Sequence, residues 1–373
     1  MNKIIKHSLL SVACLASALA FTSCDTDVES LDINQPGIAQ QNPQIYNAYL
    51  ANIKAYKQNS HKLMLVGFNN SEKLPFTQGQ HINAVPDSAD YVILSNPEAV
   101  NEREIKEMSE IREKKGIKSL YVVSFDEIKL QYDTELSDFD AKKKADIQKL
   151  DDKLAVGSMS QEDHDAKVAE IKALTYTDFK EVLADKVTEQ LSYCDRFGFD
   201  GVIMSFKGKE KITMTETEKA SYSAWENMFL GIAKDWSERH ASKELLLQGK
   251  VQFYTDKSIF DIAKLLLVPC QDAASSNAMT YNLMKSLEDG VPSDKLVPVV
   301  ENTSMDASDK TTGWWTGNVR ACVGAARFVA TEHTGFAPAG LCVMNIQNDY
   351  YNAAFVYPNI RLAISIMNPT VKK

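Results

Sequence analysis

Residues 197–208 read Phe197-Gly198-Phe199-Asp200-Gly201-Val202-Ile203-Met204-Ser205-Phe206-Lys207-Gly208. A short apolar run stands between glycines, and helical periodicity from Phe179 to Tyr193 leads into it. Similar Val, Ile and Leu-rich runs recur before it at Lys62 to Phe68, Tyr91 to Leu94 and Ser119 to Phe125. They continue after it at Leu245 to Gln248, Leu265 to Val268, Leu296 to Val300 and Gly340 to Ile346. None alternates apolar with polar, as expected of parallel strands covered on both faces. Further helical stretches at Glu102 to Lys114, Ala220 to Lys234 and Ala321 to Ala330 fall between them. Eight strands, each followed by a helix, predict an α/β chain folded as a (β/α)₈ TIM barrel. A doubly wound open sheet is the alternative, but no GxGxxG or phosphate loop follows the first strand.

One interval is too long for a simple crossover. Residues 131–176 hold 11 acidic and 7 basic side chains, a pattern that predicts two charged helices broken near Gly157. This reads as a charged helical insertion after strand three. With the leader, the tether and the insertion set aside, roughly 270 residues remain, the size of one barrel.

At the N-terminus, Lys3, Lys6 and His7 precede an apolar run from Leu9 to Ala20, and Thr22-Ser23 lead into Cys24. Residues 1–23 read as a signal peptide, too short for a membrane span. The segment around Cys24 resembles a lipobox with Phe21 in place of the usual Leu, which implies lipidation of the Cys24 thiol. Asp25, Asp27 and Glu29 follow, and residues 24–55 are read as a tether. Acidic residues directly after the lipidated Cys resemble the surface-export signal of Bacteroidetes lipoproteins, which implies the outer face of the outer membrane. The barrel then occupies 56–373.

The whole chain of 373 residues carries 41 Lys+Arg against 50 Asp+Glu, a formal charge of −9. That balance argues against nucleic acid as a partner, because phosphate neutralisation needs a basic face. Cys194, Cys270, Cys322 and Cys342 stand alone in apolar contexts, without CxxC spacing. His61, His81, His164, His240 and His333 lack ligand spacing, so neither a metal nor a cofactor is expected. Trp225 and Trp236 fall on one helix and are read as packing residues.

Strand four carries the informative resemblance. Phe199-Asp200-Gly201 opens like the FDGxDxDxE strand of glycoside hydrolase family 18, the chitinases and endo-β-N-acetylglucosaminidases. Tyr121-Val122-Val123-Ser124-Phe125-Asp126 supplies a match for strand three of the endo-β-N-acetylglucosaminidase type. The resemblance implies a catalytic Asp and Glu on strand four, and there this chain departs from it. Ile203 takes the second Asp position, Ser205 the third, and Lys207 the place of the Glu. In the family's mechanism the Glu protonates the leaving oxygen while the Asp orients the substrate acetamide. An ordinary ammonium, with a pKa of about 10.4, cannot deliver that proton as a carboxylic acid does. Two displaced acids are alternatives: Glu210, three residues beyond Lys207 and flanked by Lys209 and Lys211, and Glu301 after strand seven.

Sugar recognition needs flat aromatic surfaces together with amides and carboxylates. Trp314-Trp315 lie in the loop after strand seven, where at least one indole is expected to face solvent as a platform. Asn69 and Asn70 follow strand one, Asp126 ends strand three and Gln248 ends strand five. Gln271 and Asp272 follow strand six, Glu301 and Asn302 follow strand seven, and Asn345, Gln347, Asn348 and Tyr350 close strand eight. Any one of these is also ordinary cap or turn chemistry. The Lys207 ammonium is expected to reach over the mouth and meet Asp126 or a ligand hydroxyl.

These readings converge on a lipid-anchored surface protein that binds N-acetylglucosamine-containing N-glycans without cleaving them. It would hand them to outer-membrane uptake proteins and neighbouring glycosidases. The alternatives are an active endo-β-N-acetylglucosaminidase with a displaced acid, and a structural lipoprotein that binds a protein partner.

Overall fold

The computed structural model describes residues 38–288, 290–351 and 355–369. The expected signal peptide, Cys24 and most of the expected tether lie outside the described residues. The tether's end does not: Pro43–Gln58 is a helix (α1) of 16 residues. Pro43 sits at the first helical position, and Ala48, Leu50, Ala51, Lys54, Ala55 and Lys57 are good helix formers.

Eight parallel strands close into a barrel. They are β1 (Leu63–Phe68), β2 (Tyr91–Leu94), β3 (Lys118–Ser124), β4 (Gly201–Ser205), β5 (Glu244–Gln248), β6 (Leu266–Pro269), β7 (Leu296–Glu301) and β10 (Gly340–Met344). Around the barrel the order is β1-β10-β7-β6-β5-β4-β3-β2. Closure is what the strand count predicts.

Two crossovers depart from the one-helix-per-strand expectation. Only 3₁₀ turns, Gln78–Gln80 and Ile82–Ala84, join β1 to β2, and β5 is followed by a single α-helical turn, Ile259–Ile262. Pro75, Gly79 and Pro86 break any helix in the first of these segments. From Glu102 onward the α-helices are α2 (Glu102–Lys115), α3 (Phe125–Ala155), α4 (Gln161–Ala173), α5 (Phe179–Phe197), α6 (Glu216–Arg239), α8 (Ser276–Ser286), α9 (Ala321–Ala330) and α10 (Pro358–Met367), with Ile259–Ile262 counted as α7.

The insertion begins earlier than its charge pattern suggests. β3 stops at Ser124, whose Oγ accepts from the Glu127 amide, and α3 starts at Phe125 and runs 31 residues without a break. The expected interruption falls at Gly157, with φ 72°, and α4 returns alongside. Asp126 therefore occupies the first turn of α3 rather than the end of a strand.

Alternation along each strand sorts the core into two layers. Leu65, Ile93, Leu120, Ile203, Leu246, Leu267, Val299 and Cys342 fill the barrel interior. Met64, Val66, Val92, Val123, Val202, Met204, Leu247 and Val343 point outward into the shell of helices. Cys194, Cys270, Cys322 and Cys342 are buried and free, and burial pushes each thiol up to about 12.

Candidate functional site at the mouth of the barrel

Strand β4 places Gly201, Ile203 and Ser205 on the interior face, and Lys207 continues that parity beyond the strand's end. Ile203 is fully buried at the barrel centre. Ser205 is half-buried at the mouth, in register with Ser124 on one side and Gln248 on the other. Lys207 is exposed, and it meets Asp126 through its backbone: the Lys207 N–H donates to Asp126 Oδ2 at 3.0 Å. This corrects the expected ammonium–carboxylate contact. A main-chain donor binds the carboxylate without holding the lysine side chain in place.

Asp200, the acid of the motif that this chain keeps, lies at the opposite pole. Its Oδ1 accepts from Arg112 Nε at 2.6 Å, and its Oδ2 from Arg112 Nη2 at 3.0 Å and the Ser119 amide at 2.7 Å. Arg112 also donates to the Gly198 carbonyl at 2.6 Å. The group clamps α2, β3 and β4 together and is remote from any ligand at the mouth.

The rest of the mouth is built from strand ends. Gln248 ends β5, half-buried, while its backbone oxygen accepts from the Phe206 amide at 2.9 Å and from the Tyr254 hydroxyl at 3.2 Å. Burial holds the Tyr254 phenol well above its usual pKa. Glu301 ends β7, half-buried beside Met344 of β10. Met344 closes over Gly67, where a Cβ would sit 2.6 Å from its sulfur, so only glycine allows the thioether to cap this side of the interior.

Several expected ligand-binding amides bind each other instead. Gln347 Nε2 donates to the Asn69 carbonyl at 2.6 Å and its Oε1 accepts from the Asn69 amide at 3.1 Å. Asn70 and Asn96 exchange two bonds, Asn96 N to Asn70 Oδ1 at 2.8 Å and Asn70 Nδ2 to Asn96 O at 3.0 Å. Asn348 Nδ2 donates to the Thr303 carbonyl at 3.0 Å. Asn345 ends β10 in the left-handed region, φ 58°, with an exposed side chain. Gln271 is exposed, and its neighbour Asp272 accepts from Asn282 Nδ2 at 3.0 Å.

The two adjacent indoles divide sharply. Trp314 and Trp315 form β8 (Trp314–Trp315), which pairs with β9 (Val319–Arg320) as a small hairpin. Trp315 is buried against α9, where a Cβ on Gly324 would come within 2.4 Å of its ring. It is a packing residue, and its expected role as a platform is corrected. Trp314 stays half-exposed, with the Arg320 guanidinium 5.0 Å from its ring centroid and Arg320 Nη1 on Thr303 Oγ1 at 2.9 Å.

Aromatic side chains not singled out in the sequence also reach solvent on this face. Phe76 is 80% and Tyr351 59% exposed, on the loops after β1 and β10. Tyr350 ties these loops together by covering Gly79, and Tyr351 stands edge-on to it at 5.1 Å. The signal for Phe76 was its place in the turn-rich Leu74-Pro75-Phe76 stretch, where burial is hard to achieve. Glu210 is exposed in the loop after β4, and its neighbour Lys211 is bound to buried Glu226 at 3.1 Å. Cavities of about 620 and 720 Å³ lie at the barrel's other pole. There Lys62 and Lys295 are already bonded to backbone carbonyls, which leaves little for a ligand to meet.

A closed barrel with a family 18-like strand four defines a glycoside hydrolase-type fold with a glycan-related function. The chain belongs to glycoside hydrolase family 18, BT1044-like, whose family profile matches residues 26–176 and 145–366. A Glu-to-Gln variant of BT1044 superposes with a TM-score of 0.57 at 15% identity, covering 89% of this chain and 95% of that one. The endo-β-N-acetylglucosaminidase of Cordyceps militaris in its apo form follows at 0.55 and 13% identity, covering 86% and 96%. A variant of the same enzyme with an Asp and a Glu replaced by Asn and Gln, in complex with fucosyl-N-acetylglucosamine-Asn, superposes at 0.53 and 13% identity over 86% and 96%. No curated protein sequence matches.

Proposed function

We propose that this protein binds N-acetylglucosamine-containing glycans at the barrel mouth and does not hydrolyse them. The observation that carries this reading is strand four itself, whose interior face offers Ile203, Ser205 and Lys207 where a family 18 hydrolase needs carboxyl groups. Ser205 can hydrogen-bond an acetamide but cannot stabilise a developing oxazolinium by charge. Without a proton donor on the leaving oxygen, the barrier rises by several kcal/mol, about 1.4 for each tenfold loss in rate. The Cordyceps variant supports ligand retention without acids, since its amide-substituted form is in complex with fucosyl-N-acetylglucosamine-Asn.

The surface-lipoprotein reading belongs to the same proposal and rests on Cys24 and the acidic residues after it. Such a protein would present captured glycan to uptake proteins and glycosidases of the outer membrane. Metabolic labelling with a palmitate analogue, lost in Cys24→Ala, tests the anchor. For the mouth, the protein is incubated with a high-mannose or complex-type glycoprotein while intact mass is followed. Glycan retention with no mass loss is expected, and release of free glycan overturns the proposal. Glu301, half-buried at the mouth, is the candidate acid if release occurs; Glu301→Gln would then abolish it.

A further inference from the structure

We propose a second saccharide site outside the barrel mouth, in a groove of about 550 Å³ between the first turns of α3, the loop after β4 and the start of α6. It takes a neutral pyranose. The floor is Trp225 of α6, half-buried and fixed by Phe179, which meets the indole edge-on at 5.0 Å and 87°. Met214, also half-buried, extends the apolar surface. A sugar ring presents C–H groups on its faces and hydroxyls at its edge, so an apolar floor must be ringed by polar groups. Lys209, Thr217, Ser221 and Glu218 supply that ring.

Two of these groups have free bonding capacity of opposite kind. Lys209 Nζ stands 6.0 Å from the centroid of the Tyr222 ring and forms no ion pair among the described residues. Lys211 Nζ also lies over the Tyr222 ring, 5.7 Å from its centroid, which holds this loop against α6. Glu218 accepts from the Thr215 amide and hydroxyl, both at 2.8 Å and both through Oε2, leaving Oε1 for a ligand hydroxyl. A donor and an acceptor on one rim suit a vicinal diol.

Charge selects a neutral ligand. Lys129, the other cation of the groove, is paired with Asp133 and enclosed by the Tyr132, Phe179 and Trp225 rings at 5.7, 5.2 and 5.6 Å. Lys211, farther along the loop, is taken by Glu226. Glu218 offsets what remains, so no net positive field is left to favour an acidic sugar. Asp126 and Lys129 are one turn apart on α3, which sets the groove beside the mouth, where a second unit of the same glycan can reach. Choosing a saccharide rests on the glycan-related reading of the family; the site itself is separate from the mouth.

The test uses the full chain labelled with 5-fluorotryptophan, whose four indoles give separate ¹⁹F signals assigned by single Trp→Phe variants. Trp314 reports the mouth and Trp225 the groove during titration with N,N′-diacetylchitobiose. The expected result is a saturable shift of the Trp225 signal, weakened about tenfold by Lys209→Gln and again by Thr217→Val, with the Trp314 response unchanged. A Trp225 signal that stays still, whether or not Trp314 moves, overturns the groove site. A Trp225 response that survives Lys209→Gln, or one seen with glucuronic acid and not with the neutral dimer, also overturns it. Failure of the mouth reading appears separately, as a silent Trp314.

Discussion

The two poles of the barrel treat the same strand in opposite ways. At the N-terminal pole, Asp200 is saturated by Arg112 and Ser119, and His61 Nε2 meets Asp90 Oδ1 at 3.0 Å. At the C-terminal pole, Ser205 and Lys207 lead into a half-exposed rim. The part of the family motif that this chain shares is the part that holds strands and a helix together. Beyond it, positions 203, 205 and 207 carry Ile, Ser and Lys. A barrel needs its lower clamp to fold, whereas its upper rim is free to change, since exposed groups there contribute little to stability.

This contrast can be broken most directly at Asp200. Asp200→Ala leaves the Arg112 guanidinium and the Ser119 amide without their shared partner. A loss of about 2–3 kcal/mol, read as a lower urea midpoint, is expected of a half-buried pair whose carboxylate also holds a backbone amide. A loss below about 1 kcal/mol would show that the clamp is not what holds this end together.

Within the upper pole, the neighbouring indoles offer a comparison of their own. Trp315→Ala should cost about 3 kcal/mol by opening a cavity against α9. Trp314→Ala should leave the melting temperature nearly unchanged and weaken glycan binding about tenfold. Equal stability losses from the two variants would contradict the division of roles drawn from their burial.

Lys207→Ala and Ser205→Ala are expected within about 0.5 kcal/mol of the parent, as is usual for exposed or half-exposed positions without special packing. A calorimetric scan would show this. A large drop would place the rim in the folding core and erase the distinction between the poles.

The smallest effect is pH-dependent and belongs to the lower pole. Donation from His61 Nε2 to the Asp90 carboxylate raises the His61 pKa, with burial opposing it. A histidine with a raised folded-state pKa contributes its stabilisation fully below its unfolded value near 6.5, and loses it as pH rises through the folded value. Melting temperature should therefore fall slightly between about pH 6 and 8 in the parent relative to His61→Gln. A difference that grows in the opposite direction would refute the assignment.

The eight strands were legible because parallel strands buried on both faces must be continuous apolar runs, and Val202-Ile203-Met204 shows that as plainly as Leu245-Leu246-Leu247. The interior face of strand four was legible too, because alternation puts positions 201, 203 and 205 on one side. Other features were hidden. Asn69 and Gln347 lie 278 positions apart, and nothing local says that they bind each other rather than a ligand. Trp314 and Trp315 differ by one position in a hairpin, and that one step sends one indole into the core and leaves the other at the surface. The helix Pro43–Gln58 overlaps the end of the segment 24–55 read as tether, because the scarcity of large apolar residues before Gln44 does not extend to Ile45, Tyr49, Leu50 and Ile53.

The sequence by itself determined the barrel, the charged hairpin and the absence of carboxyl groups at positions 203, 205 and 207. Those properties follow from periodicity and residue type, which are local. Only the tertiary structure decided that Asp200 is a clamp at the far pole, that Gln347 is bonded to the Asn69 backbone, and that Trp225 floors a groove beside Lys209. Each of these depends on contacts between distant segments, and burial and hydrogen-bond partners exist only once those segments have met.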